Sequence, residues 1–101
     1  MASQFTKTDV EQAKTLYEAQ PTDIAQQFLD LLIDSPEVMQ DSEAIQKKLE
    51  IADHRDVART AYKLGVLAGA MDRNRPWTEG QRGYVMSPEI AALFAEVRSS
   101  Q

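Results

Sequence analysis

DSEAIQKKLEI (residues 41–51), ADHRDVARTAYKLGVLAGAM (52–71) and DRNRPWTEGQRGYVM (72–86) form the stretch on which the fold reading turns. Asp41 or Ser42 is placed to cap a helix running from 42 to about 49, since a short side-chain oxygen accepts an orphan N–H of a first turn. Ala44, Ile45, Lys48 and Leu49 are spaced for one buried edge. Glu50-Ile51-Ala52 then reads as a tight turn that lacks a glycine. Asp53 caps a second helix of roughly 54–71, with Asp56 in the reciprocal position and its charge favourable to the helix dipole. Val57, Ala61, Leu64, Ala68 and Met71 should face the core, and Arg55, Arg59, Tyr62, Lys63 and Val66 lie on other faces. Gly65 and Gly69 each weaken this helix by about 1 kcal/mol relative to alanine. The two glycines are therefore placed to end the helix early, to kink or break it near Gly69, or to allow a close approach by another group.

After that helix the period changes. Arg75-Pro76-Trp77-Thr78 and Tyr84-Val85-Met86 flank Glu79-Gly80-Gln81-Arg82-Gly83 and read as a hairpin, with two glycines supplying positive backbone angles. Trp77 and Tyr84 suit a half-buried ribbon and should close the core beneath it rather than stack on bases.

The flanks complete the pattern. Thr8 and Glu11 fit a capping box for a first helix, about 8–19, with Val10, Ala13, Leu16 and Tyr17 on one face. Pro21 suits the first position of a core helix, about 21–33, whose stripe is Ile24, Ala25, Phe28, Leu31 and Leu32. Asp34-Ser35-Pro36 stops it, and Glu37-Val38-Met39-Gln40 is a candidate extended segment. Ser87 and Pro88 open a last amphipathic helix, about 87–98. The expected fold is a single domain over 1–101, mainly α with a small β-hairpin. In it a helix-turn-helix of about 42–71 is followed by a wing of about 75–86, which is a winged helix-turn-helix.

Two pieces of the chain resemble a family of small actinobacterial domains of uncharacterised function. One is Gly65-Val66-Leu67-Ala68-Gly69 followed by Arg75-Pro76-Trp77. The other runs from Gly83-Tyr84-Val85-Met86-Ser87-Pro88 to Leu93-Phe94. The likeness also takes in Phe28 to Pro36 and so covers about 28–97. It implies the winged-helix fold and carries no ligand or activity with it.

Composition narrows the function classes. The chain has 101 residues, of which 43% are hydrophobic and 27% charged, as in an ordinary one-core domain. It has no cysteine, which excludes disulfides, thiolate metal sites and cysteine nucleophiles. No apolar run approaches the ~18 residues of a membrane span, and MASQFTKTDVEQ has no apolar signal core. A cytoplasmic protein without membrane contact is expected. His54 is the single histidine, so neither a metal centre nor a catalytic role is expected of it. With no nucleophile elbow, phosphate-binding loop or purposeful acid pair, the chain reads as a non-enzyme without cofactor.

Charge is uneven. The net charge is −5. Residues 1–50 carry four lysines against ten acids, and 51–101 carry seven basic residues against six acids. Within 54–82 six basic residues face three acids, a local excess of +3. In a helix-turn-helix the second helix enters the major groove of DNA. The candidate DNA-binding set is therefore Arg55, Arg59, Thr60 and Lys63 on that helix, with Arg73, Arg75 and Arg82 on the wing. The competing arrangement pairs Arg55 and Arg59 with Asp53, Asp56 or Glu50 on a solvated face. The leading functional expectation is a duplex-DNA-binding regulator or accessory protein. A symmetric dimer through the first and last helices is a further expectation. The alternative is a protein-interaction module, an acidic adaptor or inhibitor on the same scaffold.

Overall fold

The computed structural model describes residues 3–18, 23–53, 55–80 and 83–100. The elements run α1 (Val10–Glu18), α2 (Asp23–Asp34), α3 (Ser42–Lys48), α4 (Arg55–Ala70), β1 (Thr78–Gly80), β2 (Gly83–Val85) and α5 (Pro88–Ser99). This is the expected order: a core helix, a helix-turn-helix pair, a wing and a closing helix. Among the described residues no helix is long and apolar enough to cross a membrane.

The helix-turn-helix is built by local chemistry. Asp41 caps α3, its carboxylate accepting the Ala44 N–H at 2.6 Å. Helix α3 then closes in a Schellman motif. The Ile51 N–H donates to the Gln46 carbonyl at 3.0 Å and the Glu50 N–H to that of Lys47 at 3.3 Å. Glu50 takes the left-handed position, φ 54°, where glycine is usual. Asp53 opens α4, its carboxylate accepting the Arg55 N–H at 2.9 Å. Asp56, in the reciprocal position, pairs its carboxylate with Arg59.

Helix α4 passes Gly69 by a single residue and ends at Ala70, so the weakness expected near Gly69 falls at the helix end and not at an internal kink. Val57, Ala61, Leu64 and Ala68 are all buried. Anchoring four core side chains outweighs two glycine penalties of about 1 kcal/mol each. The end is a second Schellman motif, of which Gly69 is part. Arg73 N–H donates to the Ala68 carbonyl, Asp72 N–H to that of Gly69, and Asp72 is left-handed at φ 59°.

The wing sits on an aromatic floor. β1 and β2 are antiparallel, with Thr78 opposite Val85, Glu79 opposite Tyr84 and Gly80 opposite Gly83. Residues 38–40 are extended and add to the far side of β2, while Glu37, expected to belong to the same segment, is a left-handed turn residue at φ 66°. Gln40 and Tyr84 exchange both backbone hydrogen bonds, at 2.8 and 2.9 Å, and Glu37 donates to Met86 at 2.9 Å. Of the two hairpin glycines only Gly83 has positive φ, 143°. A Cβ there would overlap the Gln40 carbonyl and lie 2.6 Å from Asp41 Cα. Beneath the strands Phe28 meets Trp77 and Tyr84 edge-on, both at 5.3 Å between centroids. Such pairs contribute about 0.5–1.5 kcal/mol each beyond burial.

The first helix departs from expectation. It starts at Val10, and Asp9, not Thr8, precedes its first turn, with its carbonyl accepting from the Ala13 N–H. The Asp9 carboxylate turns back to the Thr6 N–H at 2.9 Å and grips Arg73 with both oxygens, at 3.0 and 3.2 Å. The Thr8 hydroxyl bonds instead with that of Thr6. A charged tertiary partner for Asp9 outcompetes a neutral local cap at Thr8. The same junction ties Ser3 to Asp72 and Asn74 through the backbone, and buries Phe5 edge-on against Phe94 at 5.3 Å. Residues 71–75 are thereby strapped to the N-terminal segment. At the other end of the bundle, Arg98 on α5 pairs with Asp30 and Asp34 of α2, and the Tyr17 hydroxyl donates to Asp30 at 2.9 Å.

The apolar faces of α1 and α5 pack on each other and on the core. Ala13, Leu16 and Tyr17 of α1 and Ile90, Ala91, Leu93, Phe94 and Val97 of α5 are all buried. What α1 leaves outside is Val10.

Candidate nucleic-acid interface

The second helix of the pair, α4, has one face free of the fold. Its exposed residues are Arg55, Ala58, Arg59, Tyr62, Lys63, Val66, Gly69 and Ala70. Spacings of three and four residues put Arg55, Arg59, Tyr62 and Val66 in one row, with Lys63 beside it. The side chains of Arg55 and Arg59 are 71% and 64% exposed.

Neither guanidinium is idle in the free protein. Arg55 Nη2 lies 3.0 Å from Asp53 Oδ2, and its Nε reaches both oxygens of the same carboxylate. Arg59 Nη1 lies 2.9 Å from Asp56 Oδ1, one helical turn earlier. This is the competing arrangement anticipated from the sequence. Lys63 is exposed and has no ion-pair partner among the described residues.

The remaining candidates separate. Thr60 is only 9% exposed and faces the core, away from the arginine row. Arg73 is 21% exposed and held by Asp9 in the strap. The Arg73 guanidinium and the Thr6 N–H hold the Asp9 carboxyl below its ordinary pKa. Arg75 Nη1 lies 2.6 Å from Glu79 Oε1, and the same oxygen accepts the Trp77 indole N–H at 3.0 Å. The Arg75 chain crosses α4 at Gly65, where an added Cβ would stand 3.1 Å from Arg75 Cγ. Gly65 is therefore the glycine that permits a close approach, while a Cβ on Gly69 meets nothing within 4 Å. Arg82 and His54 lie outside the described residues.

The structure thus brings Arg55, Arg59, Lys63 and, across Gly65, Arg75 to the outside of α4, and withdraws Thr60 and Arg73. It also exposes two residues that the charge count passes over. Tyr62 is 73% exposed and Val66 is 54% exposed. The signal was present as two apolar residues four apart, off the Val57–Ala61–Leu64–Ala68 stripe. With Gly65 and Arg75 they line a shallow depression of about 250 Å³.

A second concavity, about 420 Å³, lies between the start of α3 and the hairpin, lined by Asp41, Ser42, Glu43, Glu79, Gly80, Gly83 and Tyr84. Its carboxylates bound the basic face on that side. Burial, with the nearby Glu79 charge, pushes the Tyr84 phenol above its ordinary pKa. Among the described residues no three His, Cys, Asp or Glu side chains are grouped to hold a metal ion.

No protein-family description matches this chain, and neither a curated protein nor a solved structure matches it significantly.

Proposed function

We propose that the protein binds duplex DNA by laying α4 along the major groove, as a transcriptional regulator or an accessory DNA-binding protein. The observation that carries this reading is the row of Arg55, Arg59 and the adjacent Lys63 on the exposed face of the second helix of a helix-turn-helix. The carboxylates beside the two arginines weaken the field without closing the site. Exposed ion pairs of this kind contribute about 0–1 kcal/mol and are screened by salt. An arginine held so loosely can exchange a carboxylate for a phosphate.

Anisotropy of a labelled mixed-sequence duplex, followed across a salt series, tests the reading. Log affinity falls with log salt by about 0.9 per phosphate neutralised. A footprint of Arg55, Arg59 and Lys63 predicts a slope of about −3 or shallower, with detectable binding at low salt. Arg59→Glu should weaken binding with the fold intact by circular dichroism. Absence of binding at low salt, or indifference to both Arg59→Glu and Arg75→Glu, refutes it.

One observation favours a second reading. Every described arginine has a carboxylate partner, and the largest exposed side chains of α4 include Tyr62 and Val66. A protein-interaction module would use that face for a polypeptide instead.

A further inference from the structure

Resting on the duplex reading, we infer that Tyr62 and Val66 are the base-reading pair of α4 and that they select thymine through its C5-methyl group. A face that contacted only phosphates would need no apolar side chains, yet these two form the C-terminal half of the row, between Arg59 and the end of the helix. Both are more than half exposed, while Val57, Ala61, Leu64 and Ala68 of the same helix are buried.

The charged side chains of this face are assigned to phosphates in the duplex reading. The usual arginine readout is a two-pronged grip on guanine. Arg55 presents Nε and Nη2 to Asp53, and Arg59 presents Nη1 to Asp56. Lys63 is a point charge suited to a phosphate. What the helix offers to a base edge is an aromatic ring and an isopropyl group, side by side at a spacing of four. In the major groove thymine alone presents a methyl group, which apolar side chains recognise by contact.

The neighbouring surface fits this role. Because Gly65 lacks a side chain, a depression of about 250 Å³ opens beside Tyr62 and Val66, walled by the aliphatic part of Arg75. A methyl group entering there would cover apolar surface that water now covers. The flanking charges of Arg55, Arg59 and Lys63 complement the phosphates on either side of the groove.

Deoxyuridine provides the test, since it keeps every hydrogen-bonding group of thymidine and lacks the methyl. Two labelled duplexes of one A·T-rich sequence, one with thymine and one with uracil throughout, are titrated at low salt. The wild-type chain should bind the thymine duplex at least three- to fivefold more tightly. Val66→Ala and Tyr62→Ala, both at exposed positions and checked by circular dichroism, should bring that ratio close to one. Equal affinity of the wild-type chain for the two duplexes overturns the thymine inference and leaves the duplex reading standing. A ratio that survives both variants also overturns it, placing the discrimination elsewhere. If neither duplex binds at low salt, the duplex reading fails and the inference fails with it. The Tyr62–Val66 face is then left to a protein partner.

Discussion

Arg73 and Arg59 carry the same group and serve opposite purposes. Arg73 meets Asp9, 64 residues away in the chain, with two hydrogen bonds and a guanidinium 21% exposed. Arg59 meets Asp56 three residues away on the same helix and is 64% exposed. The first pair joins the N-terminal strap to the α4–wing junction, so removing one member leaves its partner sheltered and unpaired. The second is a local, water-screened contact that a ligand can replace. A positive side chain on a candidate interface is thus informative only once its partner's distance along the chain is known.

The strongest challenge to this division comes from the framework side. Gly83→Ala places a Cβ against the Gln40 carbonyl at a backbone angle that L residues avoid. It should cost on the order of 3 kcal/mol or more, read as a lower urea midpoint by circular dichroism. It should also disturb the wing, visible in the fluorescence of Trp77, the chain's single tryptophan. Near-wild-type stability would mean that the 37–40 segment does not pack against the hairpin as described.

Next in size is the strap. Asp9→Asn and Arg73→Ala should each lower Tm by several degrees, whereas Arg59→Ala should leave it almost unchanged. The pH dependence separates them further. The Asp9 carboxyl titrates below its unfolded value, so its pairing stabilises the fold above the ordinary carboxylate range, near pH 4. That contribution disappears as the pH falls through the lower, folded value. Urea midpoints measured between pH 5 and pH 2 should therefore fall less steeply in Asp9→Asn than in wild type. Identical acid limbs would remove the strap from the account of stability.

On the open face the effect moves from stability to binding. Arg59→Glu and Lys63→Glu should change unfolding free energy by no more than about 0.5 kcal/mol and weaken duplex binding several-fold at low salt. A stability loss comparable to that of Arg73→Ala would erase the contrast between the two regions. The smallest expected effect is a gain. Gly69→Ala fills open space on an exposed helix and should add about 0.5–1 kcal/mol. Gly65→Ala should gain less, because its Cβ must displace Arg75.

Much of the frame was readable from neighbouring residues. The Asp41 and Ser87 caps and the α4 core stripe rest on spacing and short-range hydrogen bonds. The same is true of Arg59–Asp56, which the sequence presents at helical spacing. Three acidic residues in left-handed positions, Glu37, Glu50 and Asp72, were less legible, since glycine is the usual signal there. In the Schellman motifs at Glu50 and Asp72, hydrogen bonds to the preceding helix offset the strain. The candidate site was legible as a helix face but not in its membership, because a charge tally treats Arg73 and Arg59 alike and gives Tyr62 no weight.

The amino-acid order alone determined which segments coil, how α3, α4 and α5 begin, and that a hairpin follows two short-linked helices, because these depend on interactions within a few residues. Only the tertiary structure decided that the Asp9 carboxylate turns from the start of α1 to hold Arg73, that Thr60 is withdrawn into the core, and that the Arg75 chain crosses α4 at Gly65. Those outcomes depend on burial and on charges brought together across the fold, where a favourable distant contact outweighs the local preference.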